Sequence, residues 1–490
     1  MGLRTRCPCS RQVDAGSLVS RDAQQRWAAT PIRERLNILK RARHRMAAML
    51  GRFTAAISPT LARTAADTIV TELMPLLDAC RFLEREAANI LQTRVLGSAG
   101  RPLWMRGVES EVRRDPLGHV LVIGPSNFPL FLPGVQVLQA LAAGNSVTWK
   151  PGTNGREVAD LVASALTESG LPGGLLSVTE DTVDAAYIAL AQTPDKVVFT
   201  GSSDSGKDIL FKLAETATPA IMELSGADAV IVLPSANLAR VAKAVAFGLR
   251  LNGAAVCMSP RRLLALGDTM TALLPILESE LATAPPIKLP TRTAELLSTL
   301  LDQAVATGAT LRGTFNPARQ SPILIAGAVP TMPITHSDIF APVLSLITVS
   351  TAPKFPDVYA ECPYALTVSI FGDEDKALAI ASQLRAGSVL INDLIVSTAD
   401  PRVPFGGRGA SGFGVTRGAE GLLEMTAPKT VIARRGKSVQ QWLPTTSQHI
   451  PLFEGAIRAA HGRTWMERFH GMRQIATASS KISKMNTTAK

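Results

Sequence analysis

Cysteine is scarce in this 490-residue chain: Cys7, Cys9, Cys80, Cys257 and Cys362 form an odd, scattered set that excludes a disulfide framework and fits a reducing compartment. Cys7-Pro8-Cys9 has no second Cys or His pair near it, and two thiolates do not complete a tetrahedral metal site, so no metal is expected. Long apolar runs are also missing. The longest, from Phe128 to Val147, is interrupted by Pro129, Pro133, Gln136, Gln139 and Asn145, which excludes a spanning helix of about 20 residues. The first twenty residues lack the apolar stretch of a secretory signal, although their arginines leave a transit peptide open. Arg6 breaks the myristoylation pattern after Met1-Gly2. No repeat of solenoid period is visible. These absences point to the cytoplasm.

What is present is an ordinary globular composition, 46% hydrophobic and 19% charged with 37 Gly and 32 Pro, in a chain long enough for two or three domains. The net charge of +11 is unevenly placed. Residues 1–46 carry 11 Lys and Arg against 3 Asp and Glu, residues 431–490 carry 10 against 2, and the middle holds 30 against 35. Basic ends on an acidic body argue against a nucleic-acid groove, which would put its cations on the folded face.

From Arg26 to Leu50 apolar residues recur three and four apart, with Thr30-Pro31 as a cap and first-turn proline, predicting an amphipathic helix. A second helical stretch is expected over 60–96. Strands then alternate with helices: 119–124, helix 131–143, 146–150, helix 156–169, 175–178, helix 182–191, 196–201 and helix 207–217. After a break at Leu224-Ser225-Gly226 the alternation resumes with 229–233, helix 236–251 and 261–266. Such alternation predicts α/β architecture with parallel sheets. Beyond about 436 the pattern is lost. There Trp465, Met466, Phe469 and Met472 fall at helical spacing among Arg463, Arg468 and Arg473, a basic amphipathic stripe suited to packing on protein or to peripheral contact with an anionic membrane.

Several segments could carry chemistry, each with a bland alternative. Val197 to Lys207 reads as strand, glycine-bounded loop and helix start, the arrangement that aims backbone N–H groups at a phosphate; Asp208 after Lys207 weakens a phosphotransferase reading, and a turn without ligand remains open. Cys257, in Asn252-Gly-Ala-Ala-Val-Cys-Met, is either an accessible nucleophile or a buried core thiol. Glu223 ends an apolar strand, where a carboxylate becomes a base of raised pKa or joins an ion pair. Asn127, just past the first sheet strand, is an oxyanion donor or a turn former.

These segments occur together and in order, and from about Ala23 to Val431 the sequence resembles the aldehyde dehydrogenase family. The resemblance rests on GPSNFPL (124–130), LAAGNSVTWKPG (141–152), FTGSSDSGK (199–207), MELSG (222–226), NGAAVCMSPRR (252–262), SDIFAPVLS (337–345) and PFGGRGASGFG (404–414). It implies a Rossmann-like cofactor domain, a second α/β catalytic domain and a small oligomerisation arm. The expected division is 1–225 for N-terminal helices and cofactor domain, with arm strands near 100–117; 226–424 for the catalytic domain; 425–436 for the arm strand; and 437–490 for a basic tail.

The implied activity is NAD(P)-dependent oxidation of a small-molecule aldehyde to a carboxylic acid through a cysteine thiohemiacetal and thioester, by a homodimer or homotetramer. By the same resemblance Cys257 is the nucleophile, Glu223 the base that activates water, and Asn127 with the Cys257 backbone N–H the oxyanion donors. NAD or NADP would meet Lys150 and Thr153 at the adenosine ribose, Gly201, Ser202 and Gly206 at the pyrophosphate, and Asp338 and Phe340 at the nicotinamide end. Three positions depart from the family pattern: Ser126 replaces a Trp, Ser225 a Gly, and Asp338 a Glu. A CoA-acylating enzyme and a catalytically silent paralogue are the alternatives; retention of Glu223 speaks against the first, and of Cys257, Glu223 and Asn127 together against the second.

Overall fold

The computed structural model describes residues 19–57, 61, 63–435, 442 and 444–488; Cys7, Cys9, the Met-Gly start and most of 436–443 lie outside the described residues. Two mainly parallel sheets organise the chain. The first has the order Gly412–Phe413, Ala220–Glu223, Lys196–Thr200, His119–Ile123, Ser146–Lys150, Leu176–Val178, and all but the first of these strands run parallel. The second runs Thr310–Arg312, Ile323–Ala328, Val343–Val349, Pro260–Leu266, Asp228–Val232, Thr367–Phe371, Ser388–Ile391, antiparallel only at its Thr310–Arg312 edge. Central strands such as His119–Ile123 and Lys196–Thr200 are buried along their length, because helices cover both faces of a parallel sheet.

Strand order turns the fold into a site. The strand after His119–Ile123 pairs on one side of it, and Lys196–Thr200 pairs on the other, so a crevice opens at its carboxyl end, where Gly124 to Asn127 leave the sheet. The helix that follows, Phe131–Ala143, is apolar and buried almost all round, and it stops at Gly144, whose φ of +100° gives the left-handed turn that glycine adopts without strain.

The structure differs from the sequence reading at the first two helical stretches. The first breaks into Arg21–Ala29 and Ile32–Ala48, with Leu50–Ala56 following. Thr30 is extended before Pro31 and closes the earlier helix, its Oγ1 donating to the Arg26 carbonyl at 3.0 Å, so it does not cap the later one. The second stretch starts only at Ala65, where Thr64 and Asp67 form a capping box. It then passes through a π turn, Ile69–Leu73, before Met74–Ile90. Pro75, which brings no N–H to the ladder, sits at the exit of that wide turn.

A third sheet joins Arg94–Val95, Val108–Pro116 and Thr426–Arg434, close to the expected arm strands, although Leu103–Met105 is a 3-10 turn. The chain divides into two compact units, one comprising residues up to Val95 with Val112–Thr430, the other Leu96–Glu111 with the residues from Val431 on. The second unit contains two helices, Ile450–His461 and Trp465–Thr488, packed along small residues: a Cβ on Gly455 would lie 2.9 Å from the Gly471 carbonyl oxygen. Trp465, Met466, Phe469 and Met472 are exposed. Among the described residues no helix is long and apolar enough to cross a membrane.

Candidate active site

Glu223 is the last residue of its strand, and Ser225-Gly226 carries the chain from the first sheet into the second. The turn is tight enough that a Cβ on Gly226 would sit 2.5 Å from the Cys257 carbonyl oxygen, so the loop bearing the thiol is held against the end of the Glu223 strand. Cys257 lies between the Leu238–Arg250 helix and the Pro260–Leu266 strand. Asn252, Gly253 and Ala254 all take positive φ, between +50° and +61°, a costly run for two residues with side chains. Hydrogen bonds over-determine it: Arg261 Nη2 donates to the Ala254 carbonyl at 2.7 Å, and Asn252 Nδ2 donates to the carbonyls of Ala255 at 3.0 Å and Asn127 at 3.1 Å.

A cavity of about 840 Å³ gathers nine of the ten expected site residues: Asn127, Lys150, Thr153, Gly201, Ser202, Glu223, Cys257, Asp338 and Phe340. Gly206 is not among its lining. Sequence reading started the helix at 207; it runs Ser203–Ala214, because Ser202 caps it by accepting from the Ser205 N–H. Gly206 is therefore one turn inside, where a Cβ would meet the Leu224 side chain at 2.5 Å, and its part is close packing of helix on sheet.

The cavity is rich in carboxylates. Glu223 is buried; its Oε2 accepts from Thr200 Oγ1 at 2.9 Å and Gln136 Nε2 at 3.3 Å, and Thr416 Oγ1 donates to Oε1. Burial pushes its pKa up, against the opposing pull of Arg417, Thr416 and Thr200. The Cys257 thiol, partly open to the cavity, is also raised, first by desolvation and then by the charges of Asp228, Glu223 and Asp338. Asp338 is raised by burial while Ser225 and Arg261 favour its charged form; its Oδ1 has no partner.

Those last two facts bear on a dinucleotide. An orphaned carboxylate oxygen in a cavity suits a ribose hydroxyl, the Ser203–Ala214 N-terminus beside Gly201 and Ser202 suits a pyrophosphate, and a Cβ on Gly152 would fall 2.2 Å from the Pro125 carbonyl, a close approach that only glycine makes. The residues fit the group. Among the described residues no cluster of His, Cys, Asp and Glu could hold a metal ion.

The structure adds residues that sequence reading missed. Glu72, fully buried in the π turn, pairs with Arg63 and accepts from the backbone N–H groups of Leu130 at 3.1 Å and Phe131 at 2.7 Å, fixing the start of the helix that follows Asn127. Arg63 donates to the Asn127 carbonyl and, at 2.8 Å, to Asn252 Oδ1, with its guanidinium 4.5 Å from the Phe128 ring centroid. Asn127 Nδ2 in turn donates to the Ala255 carbonyl at 2.9 Å. No local signal marked Arg63 and Glu72, because Asp67 between them is an exposed charge of the same stretch. Arg261 and Arg417, both buried, are the others.

The pattern of the aldehyde dehydrogenase family matches residues 9–431, and the chain belongs to that family. It is 27% identical over 462 residues to the 4,4'-diapolycopene aldehyde oxidase of a Methylomonas species, covering 91% of this chain and 87% of that protein. The NAD-dependent aldehyde dehydrogenase of Sinorhizobium meliloti superposes with a TM-score of 0.80 at 25% identity, covering 86% of this chain and 87% of that one. The NADP-dependent glyceraldehyde-3-phosphate dehydrogenase of Bacillus halodurans, solved with NADP, gives 0.78 at 27% identity over 84% and 89%. The chain is an NAD(P)-dependent oxidoreductase that takes an aldehyde to a carboxylic acid through a cysteine thiohemiacetal and thioester.

Glu72→Gln leaves the buried Arg63 cation without its counter-charge. The expected loss is about 3–5 kcal/mol in urea unfolding, and replacing both residues with apolar side chains should recover much of it. An unfolding midpoint unchanged by Glu72→Gln would show that the pair does not hold the Asn127 segment.

Proposed function

We propose that Cys257 is the nucleophile, Glu223 the base, and Asn127 with the Cys257 backbone N–H the oxyanion donors. The carrying observation is that all three line one cavity, with the Cys257 loop pressed on the end of the Glu223 strand. The thiolate adds to the aldehyde carbon, the donors take up the alkoxide charge, and after oxidation the thioester is opened by water that gives a proton to Glu223. NAD(P) supplies the hydride acceptor. Lys150 and Thr153 would hold its adenosine ribose, Gly201 and Ser202 its pyrophosphate, and Asp338 and Phe340 its nicotinamide end. The proposed domain division is cofactor domain to 225 with arm strands near 100–117, catalytic domain 226–424, arm strand 425–436 and basic tail 437–490; the two large sheets support it, with Gly412–Phe413 crossing back to the edge of the first. The free buried thiols Cys80 and Cys362 support a cytoplasmic site of action.

Cys257→Ala is expected to abolish turnover while nucleotide affinity stays within about twofold. Glu223→Gln should keep the pre-steady-state burst of reduced nicotinamide and slow the steady rate by about 10²–10⁴, the usual reach of a general base. A vanished burst in Glu223→Gln would reassign the carboxylate to the acylation step.

The aldehyde we infer is apolar, because Phe128, Leu132, Phe247, Val256, Met258 and Val396 line the cavity. The relative from Methylomonas, named for a diapolycopene aldehyde, supports this. The cofactor preference tilts to NADP: Thr153 is an exposed, neutral neighbour of Lys150, where NAD-preferring relatives of this family place a Glu that would repel a 2′-phosphate. Decanal and a four-carbon aldehyde acid, each assayed with NAD and NADP, should give the highest kcat/KM for decanal with NADP. NADP at least roughly a hundredfold worse than NAD would overturn the preference, and a preference for the acid would overturn the substrate class.

Assembly is proposed as a homodimer or homotetramer. Support comes from the second unit, whose helices expose Ile450, Phe453, Ile457, Trp465 and Phe469. Light scattering on the chain lacking 437–490 should show a smaller oligomer. An unchanged mass, with loss of salt-sensitive binding to anionic vesicles, would assign these side chains to a membrane surface instead.

A further inference from the structure

Arg417 is buried, at 4% exposure, with a backbone φ of +60° and ψ of 172°, a conformation that a residue with a side chain takes only when its surroundings force it. Its guanidinium lies 4.2 Å from the Phe405 ring centroid and 5.4 Å from that of Phe131, and Nη1 donates to the Thr398 carbonyl at 2.6 Å. Nε and Nη2 have no partner. A buried cation with two unused donors is costly unless an anion offsets it. Thr416, the residue before it, already donates to Glu223, and Arg417 lines the cavity that Glu223 and Cys257 share.

We propose that Arg417 is a positioning residue for Glu223: its buried charge keeps the carboxylate ionised in the cavity, and its free donors receive the carboxylate when it leaves Thr200 and Gln136. This rests on the assignment of Glu223 as the base. In the hydrolytic step the oxygen of water bonds to the thioester carbonyl carbon while one of its protons passes to Glu223. The tetrahedral oxyanion then collapses, the C–S bond breaks, the acid leaves and Cys257 is left as thiolate. Glu223 must start that step ionised, which burial alone opposes.

The charges and titratable groups around the site can be named. Arg417 acts on Glu223; Asp228, Glu223 and Asp338 act on the Cys257 thiol with Arg417 opposing them, and Asp338, Asp228 and Cys257 act on Arg261. Removing Arg417 therefore takes a cation from the carboxylate. The sign follows: the Glu223 pKa rises, and the acid limb of hydrolysis moves to higher pH.

The test is the pH dependence of thioester hydrolysis in single turnover, measured separately from the burst that reports acylation. Arg417→Gln should move the acid limb up by about one to two pH units, the size expected for losing one charge that shares the cavity in a medium of intermediate dielectric. Arg417→Lys, which keeps the charge, should bring it back to within about half a unit. In a Glu223→Gln background Arg417→Gln should change hydrolysis less than twofold, because the group it acts through is gone. An unmoved limb in an Arg417→Gln protein of normal melting temperature, or a full Arg417→Gln effect in the Glu223→Gln background, overturns the proposal. Should Arg417→Gln not fold, Arg417→Lys decides it: a retained profile supports the proposal, and a shift as large as charge loss predicts overturns it. Hydrolysis undiminished by Glu223→Gln alone would instead refute the base assignment.

Discussion

The buried Arg63–Glu72 pair ties together parts of the chain that have no local reason to meet. Both side chains are nearly inaccessible, 3% and 0% exposed, so each charge would be intolerable without the other. Once paired, their remaining hydrogen-bonding capacity is spent on the Asn127 carbonyl, Asn252, and the N–H groups of Leu130 and Phe131. Those N–H groups are orphans of a helix start, and a carboxylate there is favoured by the helix dipole as well. One ion pair from the N-terminal helices thereby sets the distance between the segment after His119–Ile123 and the loop that carries Cys257. The strained Asn252 to Ala254 turn persists because it is held from both sides, by this pair and by Arg261.

Electrostatics in the cavity follow from the same architecture. The carboxyl end of the Ala220–Glu223 strand brings Glu223, while from the second sheet it is the amino ends that face it: Asp228 opens Asp228–Val232, and Asp338 arrives on the loop before Val343–Val349. Burial alone would neutralise such groups. Asp228 is pushed up to about 7, although two hydrogen bonds from Thr367 and the charges of Arg262 and Arg261 oppose the shift. Arg261 is pulled down to about 10 by its own burial, with Asp338, Asp228 and Cys257 pulling the other way. The site is thus a set of mutually compensating buried charges, in which each cation lowers the cost of a carboxylate and the thiol takes the sum of them.

Legibility from sequence was highest where chemistry is local. Phe131–Ala143 and Ser146–Lys150 have the bounds that sequence predicts, because Gly144 and the alternation of buried strand and helix mark their ends within a few residues. Eight of the nine cavity residues were readable as parts of family motifs, since each motif is a short segment whose order along the chain is itself a signal; Thr153 lies just past one of them. Arg63 and Glu72 were not readable, because Arg63 meets Asn252 across 189 residues and neither has a local partner that would announce burial. The helix start at Ser203 was misplaced for a different reason: a glycine-bounded loop and an N-cap serine compete for the same residues, and the hydrogen bond from Ser205 to Ser202 decides for the cap.

Two of the departures from the family pattern, Asp338 and Ser225, are physically linked to each other. Asp338 is one methylene shorter than the Glu expected there, so its carboxylate sits closer to its own backbone, and burial raises its pKa. Ser225, which replaces a Gly, places a hydroxyl where it favours the charged form of that carboxylate and offsets part of the penalty. The other carboxylate oxygen is left free, and a buried acceptor without a donor is a group awaiting one. Arg261 favours the charged form of Asp338 as well, so the acid is supported from the serine and from the arginine. Together they keep an ionisable acceptor in the cavity, with its donor requirement still open.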